Sequence, residues 1–189
     1  LMRIIGGKKG GLKIFINKKL RLRPTTDKCK EGLFNMLSNK YDFEKLNILD
    51  LFSGTGNISY EFSSRGVNSV TAIELNKNSI DYINEFNKKN NFGIKIIKTD
   101  VFKFLKRCDK LFDLIFADPP YNFVYTQYYK LISIVFKNNL INNDGLLVIE
   151  HSSTIELNES DYYIKSRKYG SSTLSFYQNI ISWYPVTCL

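Results

Sequence analysis

The sequence predicts an α/β fold: an open, mostly parallel sheet flanked by helices, with an antiparallel strand near the C-terminus. A small N-terminal β-hairpin and helix precede it. Two observations carry this. From residue 47 onward, short β-prone apolar runs alternate with stretches of helical periodicity, the pattern of repeated βα units. Runs such as ILDLF and LIFA are apolar throughout, which fits strands buried on both faces. The length, 189 residues with 43% hydrophobic, suits one globular core.

In chain order, residues 3–23 hold short β-prone pieces, RII, LKIFI and KLRLR, broken by the turns GGKKGG and NKK. This reads as a small basic hairpin or meander. Pro24, Thr25 and Thr26 end it. Thr26 suits a helix N-cap, Asp27 the first turn, and Leu33, Phe34 and Leu37 recur at helical spacing, so a helix is expected over 27–38. NILDLF is then a strand and GNISYEFSSRG a helix closed by Gly66. SVTAIEL is a strand, NKNSIDYINEFNKKN a helix, IKIIKTD a strand and VFKFLKR a short helix. FDLIFAD is a strand, 124–138 a helix, and GLLVIEH a strand. YYIKSRKY and TLSFYQNI, separated by a Gly-Ser turn, form an antiparallel pair. The organisation expected is a basic extension over 1–45, the main domain over 46–180, and a tail over 181–189 without an assignable role.

No apolar run approaches membrane-span length and no signal peptide opens the chain; Met2, behind Leu1, reads as the natural start. Cys29, Cys108 and Cys188 are odd in number and far apart, so neither a disulfide framework nor a metal site is expected, and a reducing cytoplasm is the expected setting. His151 is the only histidine, which counts against zinc and histidine-triad chemistry, and it is read as structural. The formal net charge is +9. Residues 1–30 hold ten basic side chains against Asp27 alone, and the remainder balances at seventeen of each sign. The excess on one segment reads as a polyanion-binding element.

Ligands of open α/β sheets bind outside the carboxyl ends of the strands. Four successive strands there end in an acid: Asp50, Glu74, Asp100 and Asp118. Gly54 and Gly56 let the first loop turn tightly against a ligand. A dinucleotide fingerprint would need a third glycine where Ser59 stands, and would bring a pyrophosphate close to Asp50. A ligand with a cationic end, S-adenosylmethionine, fits better. Glu74 sits at the offset of an acid that binds ribose hydroxyls. Asp100 would accept from an adenine amine, with the Val101 backbone addressing the ring. At Asp118-Pro119-Pro120-Tyr121, an exocyclic amine could donate to the Asp118 side chain and the Pro119 carbonyl, which would free its lone pair. The prolines fix that carbonyl, Tyr121 offers a stacking face, and Asp118 can take the released proton.

DLFSGTGNISYEFSSRG, AIEL and DPPY together resemble class I S-adenosylmethionine-dependent methyltransferases acting on amino nitrogens. MRIIGGKKGG and LRPTTDKCKEGLFNML narrow the resemblance to the RsmD-type enzymes that methylate guanine N2 of 16S ribosomal RNA. The resemblance covers about residues 2–178. It implies a class I Rossmann-like sheet and S-adenosyl-L-methionine as cofactor, with 16S rRNA or the assembling small subunit as partner. No metal and no membrane partner is expected from the residues themselves, and a monomer is the expected state, although the sequence does not determine oligomeric state. The cofactor set of the resemblance is Asp50, Phe52, Gly54, Gly56, Glu74, Leu75, Asp100, Val101 and Thr25; its catalytic set is Asp118, Pro119, Pro120 and Tyr121. Arg3, Lys8, Lys9, Arg21 and Arg23 are the expected RNA contacts. Two alternatives share DPPY or the fold: a DNA adenine-N6 methyltransferase, and a nucleic-acid-binding protein without activity.

Overall fold

The computed structural model describes residues 2–15 and 25–179. Two short strands, β1 (Met2–Arg3) and β2 (Lys13–Ile14), pair antiparallel. Helix α1 (Asp27–Ser38) follows, with a 3-10 turn at Phe43–Lys45. Then come β3 (Asn47–Leu51), α2 (Asn57–Ser64), β4 (Ser69–Glu74), α3 (Lys77–Asn90), β5 (Lys95–Lys98), α4 (Val101–Arg107), β6 (Phe112–Ala117) and α5 (Tyr125–Lys137). Strands β7 (Ile141–Ser152), β8 (Tyr163–Tyr169) and β9 (Ser172–Tyr177) close the domain. The seven strands lie in the order β5-β4-β3-β6-β7-β9-β8. β3 to β7 are parallel, and β9 runs antiparallel between β7 and β8. This is the mostly parallel sheet the sequence predicts, with its antiparallel pair.

Period-two alternation splits the core into two layers. Ile48, Leu114, Phe116, Val148 and Leu174 face one side and pack with α1, α2 and α3; Leu49, Ile115, Leu147, Ile149 and Tyr177 face the other, under α4 and α5. Two layers of helices explain why the strand sequences show no polar face.

The expected cap of α1 is present: Thr26 Oγ1 accepts from the Cys29 N–H at 3.2 Å. Asp100, read from the sequence as an adenine acceptor, caps α4 through the Lys103 N–H at 2.9 Å. β7 is longer than GLLVIEH, beginning at Ile141, which pairs with Phe112 across a register shift. The polar run Asn142–Asp144 and Gly145 read as a turn, and the irregularity is what admits them to a strand. The helix interior of α1 holds Gly32 because a Cβ there would lie 2.2 Å from the Tyr169 hydroxyl oxygen. Residues 16–24, which include KLRLR, Arg21 and Arg23, and the tail 181–189 lie outside the described residues.

The N-terminal extension shares the main core. Met2, Ile4 and Ile14 are buried in the same cluster as α1 and the sheet, each contributing about 1.5–3 kcal/mol on full burial. The GGKKGG turn lies on the C-terminal end of α2, where the Lys8 N–H donates to the Ser64 carbonyl at 2.7 Å and the Lys9 N–H to Ser64 Oγ at 2.9 Å. Beneath it, Glu61 of α2 is wholly buried. Its carboxylate accepts from the Ile5 N–H at 2.5 Å and from Lys30 Nζ at 3.1 Å. Lys30 Nζ, also wholly buried, donates to Asn57 Oδ1 at 3.1 Å and to the Arg3 carbonyl at 2.5 Å.

This corrects the charge reading in part. Lys30, counted in the basic excess, is an internal cation balancing Glu61. Arg3 pairs with Asp27 at 2.9 Å. Lys9 reaches the Asn90 carbonyl and lies 5.1 Å from the Phe92 ring centre, while Lys8 is exposed.

Lys30→Met should therefore destabilise the fold by about 3–5 kcal/mol, because it strands a buried carboxylate. Urea denaturation measures this, and a loss below about 1 kcal/mol would show that Glu61 finds another partner.

Candidate active site

The cleft opens at the carboxyl ends of β3, β6 and β7. β3 is where the strand order reverses, with β4 on one side and β6 on the other, the position at which open α/β sheets bind ligands. Its lining includes Thr25, Asp50, Phe52, Ser53, Gly54, Asn57, Asp118, Pro119, Pro120, Tyr121, Tyr128, Glu150 and His151.

The first wall is the loop from β3 to α2. Phe52, Gly54 and Gly56 all have positive φ, at 59°, 55° and 81°. Gly56 must be glycine for a second reason: a Cβ would stand 2.9 Å from the Tyr60 ring. Phe52 has no such excuse, and a bulky residue held there is strained. Its ring is held edge-on against Phe123 at 5.4 Å. Ser53 Oγ is buried and has no hydrogen-bond partner among the described residues. A buried hydroxyl on a cleft wall without a partner is a group that a bound ligand can satisfy.

Under this loop, Asp50 is buried and accepts from Ser59 Oγ at 2.5 Å. Burial pushes its carboxyl up to about 7; the Ser59 bonds oppose this, and the nearby Glu74 charge adds to it. Glu74 ends β4. Its carboxylate accepts from the Gly54 N–H at 2.8 Å and from the Leu75 and Asn76 N–H groups at 2.8 Å each. Glu74 thus ties the glycine loop to the neighbouring strand. Leu75 beside it is 59% exposed. Glu74 ends β4 and Leu75 follows it, Gly56 caps α2, Asp100 caps α4 and Val101 begins it; none of the five lines the cleft.

The second wall follows β6. The Asp118 N–H donates to the Leu51 carbonyl at 3.4 Å, tying the acid to the end of β3. The chain turns through Pro119 and Pro120, and the Phe123 N–H closes the turn on the Pro120 carbonyl at 2.8 Å. Phe123 is the anchor: its buried ring stacks with Phe102 at 6.0 Å and meets Tyr128 edge-on at 5.0 Å. Tyr121, two residues earlier, is left 69% exposed. The Tyr128 hydroxyl is pushed up to about 12 by burial and the adjacent Asp118 charge.

The third wall was not anticipated as part of the site. Glu150 of β7 is buried and accepts from Thr25 Oγ1 at 2.7 Å. The β6–β7 register, Ala117 opposite Ile149, puts Glu150 beside Asp118. The clue was an acid inside the apolar run LLVIEH, one strand beyond those read. His151 adjoins it. Its Nδ1 meets the Ser152 carbonyl at 2.9 Å and its Nε2 meets Ser175 Oγ at 2.7 Å. The carbonyl contact assigns the proton to Nδ1. Burial lowers its pKa, against the Ser152 bond, and both ring nitrogens are engaged within the fold. Thr25, Asp50, Phe52, Gly54 and the four residues 118–121 are thus brought to one cleft.

The family described as Conserved hypothetical protein 95 matches residues 2–178. A Ribosomal RNA small subunit methyltransferase D of Buchnera aphidicola is 36% identical over 155 residues, 82% of this chain and 78% of that protein. The protein of the same name from Haemophilus influenzae is 30% identical over 94% of each chain. Among solved structures, a hypothetical protein of Thermus thermophilus superposes with a TM-score of 0.82 at 23% identity, covering 95% of this chain and all of that one.

The buried Asp50 makes a prediction about pH. Its folded pKa, about 7, is raised above an unfolded value of about 3.9. Asp50 therefore favours folding below pH 4, and that contribution is lost as pH rises from about 4 to 7. Asp50→Asn removes the dependence. Its stability relative to the native chain, followed by urea denaturation, should be more favourable at pH 8 than at pH 5. Parallel pH curves would mean that Asp50 is not buried as a titrating acid.

Proposed function

This chain belongs to the Conserved hypothetical protein 95 family, and from that premise we propose that it methylates the N2 amine of a guanine in small-subunit ribosomal RNA. The reading is carried by the placement of Asp118-Pro119-Pro120-Tyr121 across one cleft from the strained glycine loop. Relatives named as small-subunit ribosomal RNA methyltransferases support it.

The donor is S-adenosylmethionine, which supplies the methyl group. The residues present fit it. The unpartnered Ser53 hydroxyl and the tight backbone at Gly54 and Gly56 make room for a ligand, and the acids Asp50 and Asp118 on the cleft lining suit its cationic end. Glu74 is offered to the ribose hydroxyls, Asp100 and Val101 to the adenine, and Leu75 and Phe52 to its faces. Thr25, held on Glu150, closes the cleft from the N-terminal side.

The chain's part in the reaction is positioning and proton handling. Asp118 accepts from one N–H of the target amine, and the backbone carbonyl of Pro119 accepts from the other. The nitrogen lone pair, otherwise delocalised into the ring, is thereby turned towards the methyl donor. Asp118 then takes the proton released when the N–C bond forms. Tyr121, exposed at the rim, stacks on the extruded base. Lys8, with Arg21 and Arg23, is offered to phosphates, while Arg3 and Lys9 are engaged within the fold by Asp27 and by Asn90 and Phe92.

Asp118→Ala should abolish transfer of labelled methyl groups onto small-subunit RNA while S-adenosylhomocysteine affinity stays within a few-fold. Native-level turnover would remove Asp118 from the mechanism. Naked RNA, assembled small-subunit particles and duplex DNA are assayed side by side; label appearing on DNA alone would favour an adenine-N6 enzyme.

Glu74→Ala should behave oppositely. Calorimetry should show cofactor binding weakened by about 1.5–3 kcal/mol, the worth of charged-acceptor hydrogen bonds, with a smaller loss of turnover at saturating cofactor. An unchanged dissociation constant would refute a role for Glu74 in holding the cofactor or its loop.

A further inference from the structure

The outermost strand of the sheet carries a run of cations. β8 forms the edge beyond β9, and its Lys165, Arg167 and Lys168 are exposed. Among the described residues none of the three forms an ion pair within 4 Å. Their placement is set by register. Lys165 lies opposite Phe176 and Arg167 opposite Leu174, so both sit on the α1 side of the sheet, where Phe176 and Leu174 join the core beneath α1. Lys165 Nζ hangs 5.7 Å from the Phe176 ring centre. Lys40, just past the end of α1, donates to Gln178 Oε1 at 3.2 Å and adds a third exposed cation to this side, with the Asp144 charge acting on it. Lys168 projects to the opposite face.

The strand also leads to the cleft. β8 runs antiparallel to β9, which runs antiparallel to β7, so β8 ends at the same edge of the sheet as β6 and β7. Its last residue, Tyr169, pairs with Ser172, and Ser172 lines the cleft. Arg167 and Lys165 are two and four residues back from Tyr169, about 7 and 13 Å along the strand. Three strand spacings, about 14 Å, separate β8 from Asp118 laterally. The basic strip therefore starts at the cleft wall and descends the side of the sheet.

We propose that Lys165 and Arg167 on β8, with Lys40, form a second phosphate-binding track that holds the RNA flanking the base in the cleft. This rests on the RNA-methyltransferase reading and adds a partner surface to it. Cations spaced along one strand, unpaired and continuous with the cleft, complement a polyanion that must extend past the reacting nucleotide. The competing explanation is that edge strands carry Lys to prevent pairing with other copies. The two explanations predict different results.

The test uses the full chain with Lys165 and Arg167 both replaced by Gln, alongside Arg167→Glu alone. Affinity for small-subunit RNA is measured from 50 to 300 mM salt, S-adenosylhomocysteine affinity by calorimetry, and association state by light scattering. The track predicts that the slope of log affinity against log salt flattens by about two units in the double variant and about one in the single variant. Cofactor-product affinity should stay within two-fold and the chain should remain in its native association state. A native slope in both variants overturns the proposal, and self-association with an unchanged slope establishes edge protection instead. If the native chain binds RNA with this salt dependence yet transfers no methyl group, the activity reading fails while the track stands. If it binds no RNA at any salt, both fall.

Discussion

The buried pair of Lys30 and Glu61 is the constraint on which the cleft depends. Glu61 gathers two separate pieces of chain onto α2: the backbone after β1, through the Ile5 N–H, and α1, through Lys30. Lys30 passes the link on to Asn57, the first residue of α2, directly behind the glycine loop. An isolated buried ion pair is weak support for a fold, because well-packed apolar residues often do as well. This one differs. A leucine at 61 would leave the Ile5 N–H buried without an acceptor, and backbone donors left so are costly. The pair is kept in place by the main chain it satisfies. Its consequence is positional: α1 is fixed on the sheet, and Thr25 at its start can reach Glu150 on the far wall.

The cleft itself is an electrostatic frustration waiting for a ligand. Asp50, Glu74, Asp118 and Glu150 converge on the ends of adjacent strands, and Asp50 is so desolvated that its carboxyl is pushed to about 7. Lys30 of α1 and Arg65, just past α2, are spent below the loop on Glu61, not in the cleft. A cationic ligand relieves this field, and an anionic pyrophosphate would deepen it. The strain at Phe52 belongs to the same arrangement. Its positive φ costs energy, and the contact with Phe123 holds it. The glycine loop and the Asp118 turn are thus braced against each other by two aromatic rings.

What was legible in the sequence was what local rules decide. The βα alternation, the α1 cap and the DPPY turn are each set by residues within a few positions of one another, and the structure reproduces them. The acids at the strand ends followed from topology alone. What escaped reading depends on pairing across the fold. Glu150 looks like any acid at the close of an apolar strand until register sets it beside Asp118. Phe123 looks like core until its ring is found under Phe52. Lys30 looks like one more charge in a basic run until α1 is packed against α2. The early start of β7 was hidden because an irregularity lets turn-forming residues stay in a strand.

Charge shows the same limit most clearly. Summed along the chain, the entire excess falls in the first thirty residues. In space, part of it disappears: Lys30 is internal, Arg3 is paired and Lys9 is folded onto Asn90 and Phe92. Meanwhile the neutral remainder separates into acidic and basic regions, because strands with opposite bias lie at different places in the sheet. The acids collect where strands end over the cleft, and β8 carries its cations along an open edge. A net charge of zero over 159 residues is therefore compatible with a strong local field, since screening confines each charge to neighbours within about 8–10 Å. What a polyanion meets is the surface arrangement, and that arrangement is fixed by strand order. A sheet that placed β8 in its interior would have had to bury or remove those cations; as an edge it can leave them in water.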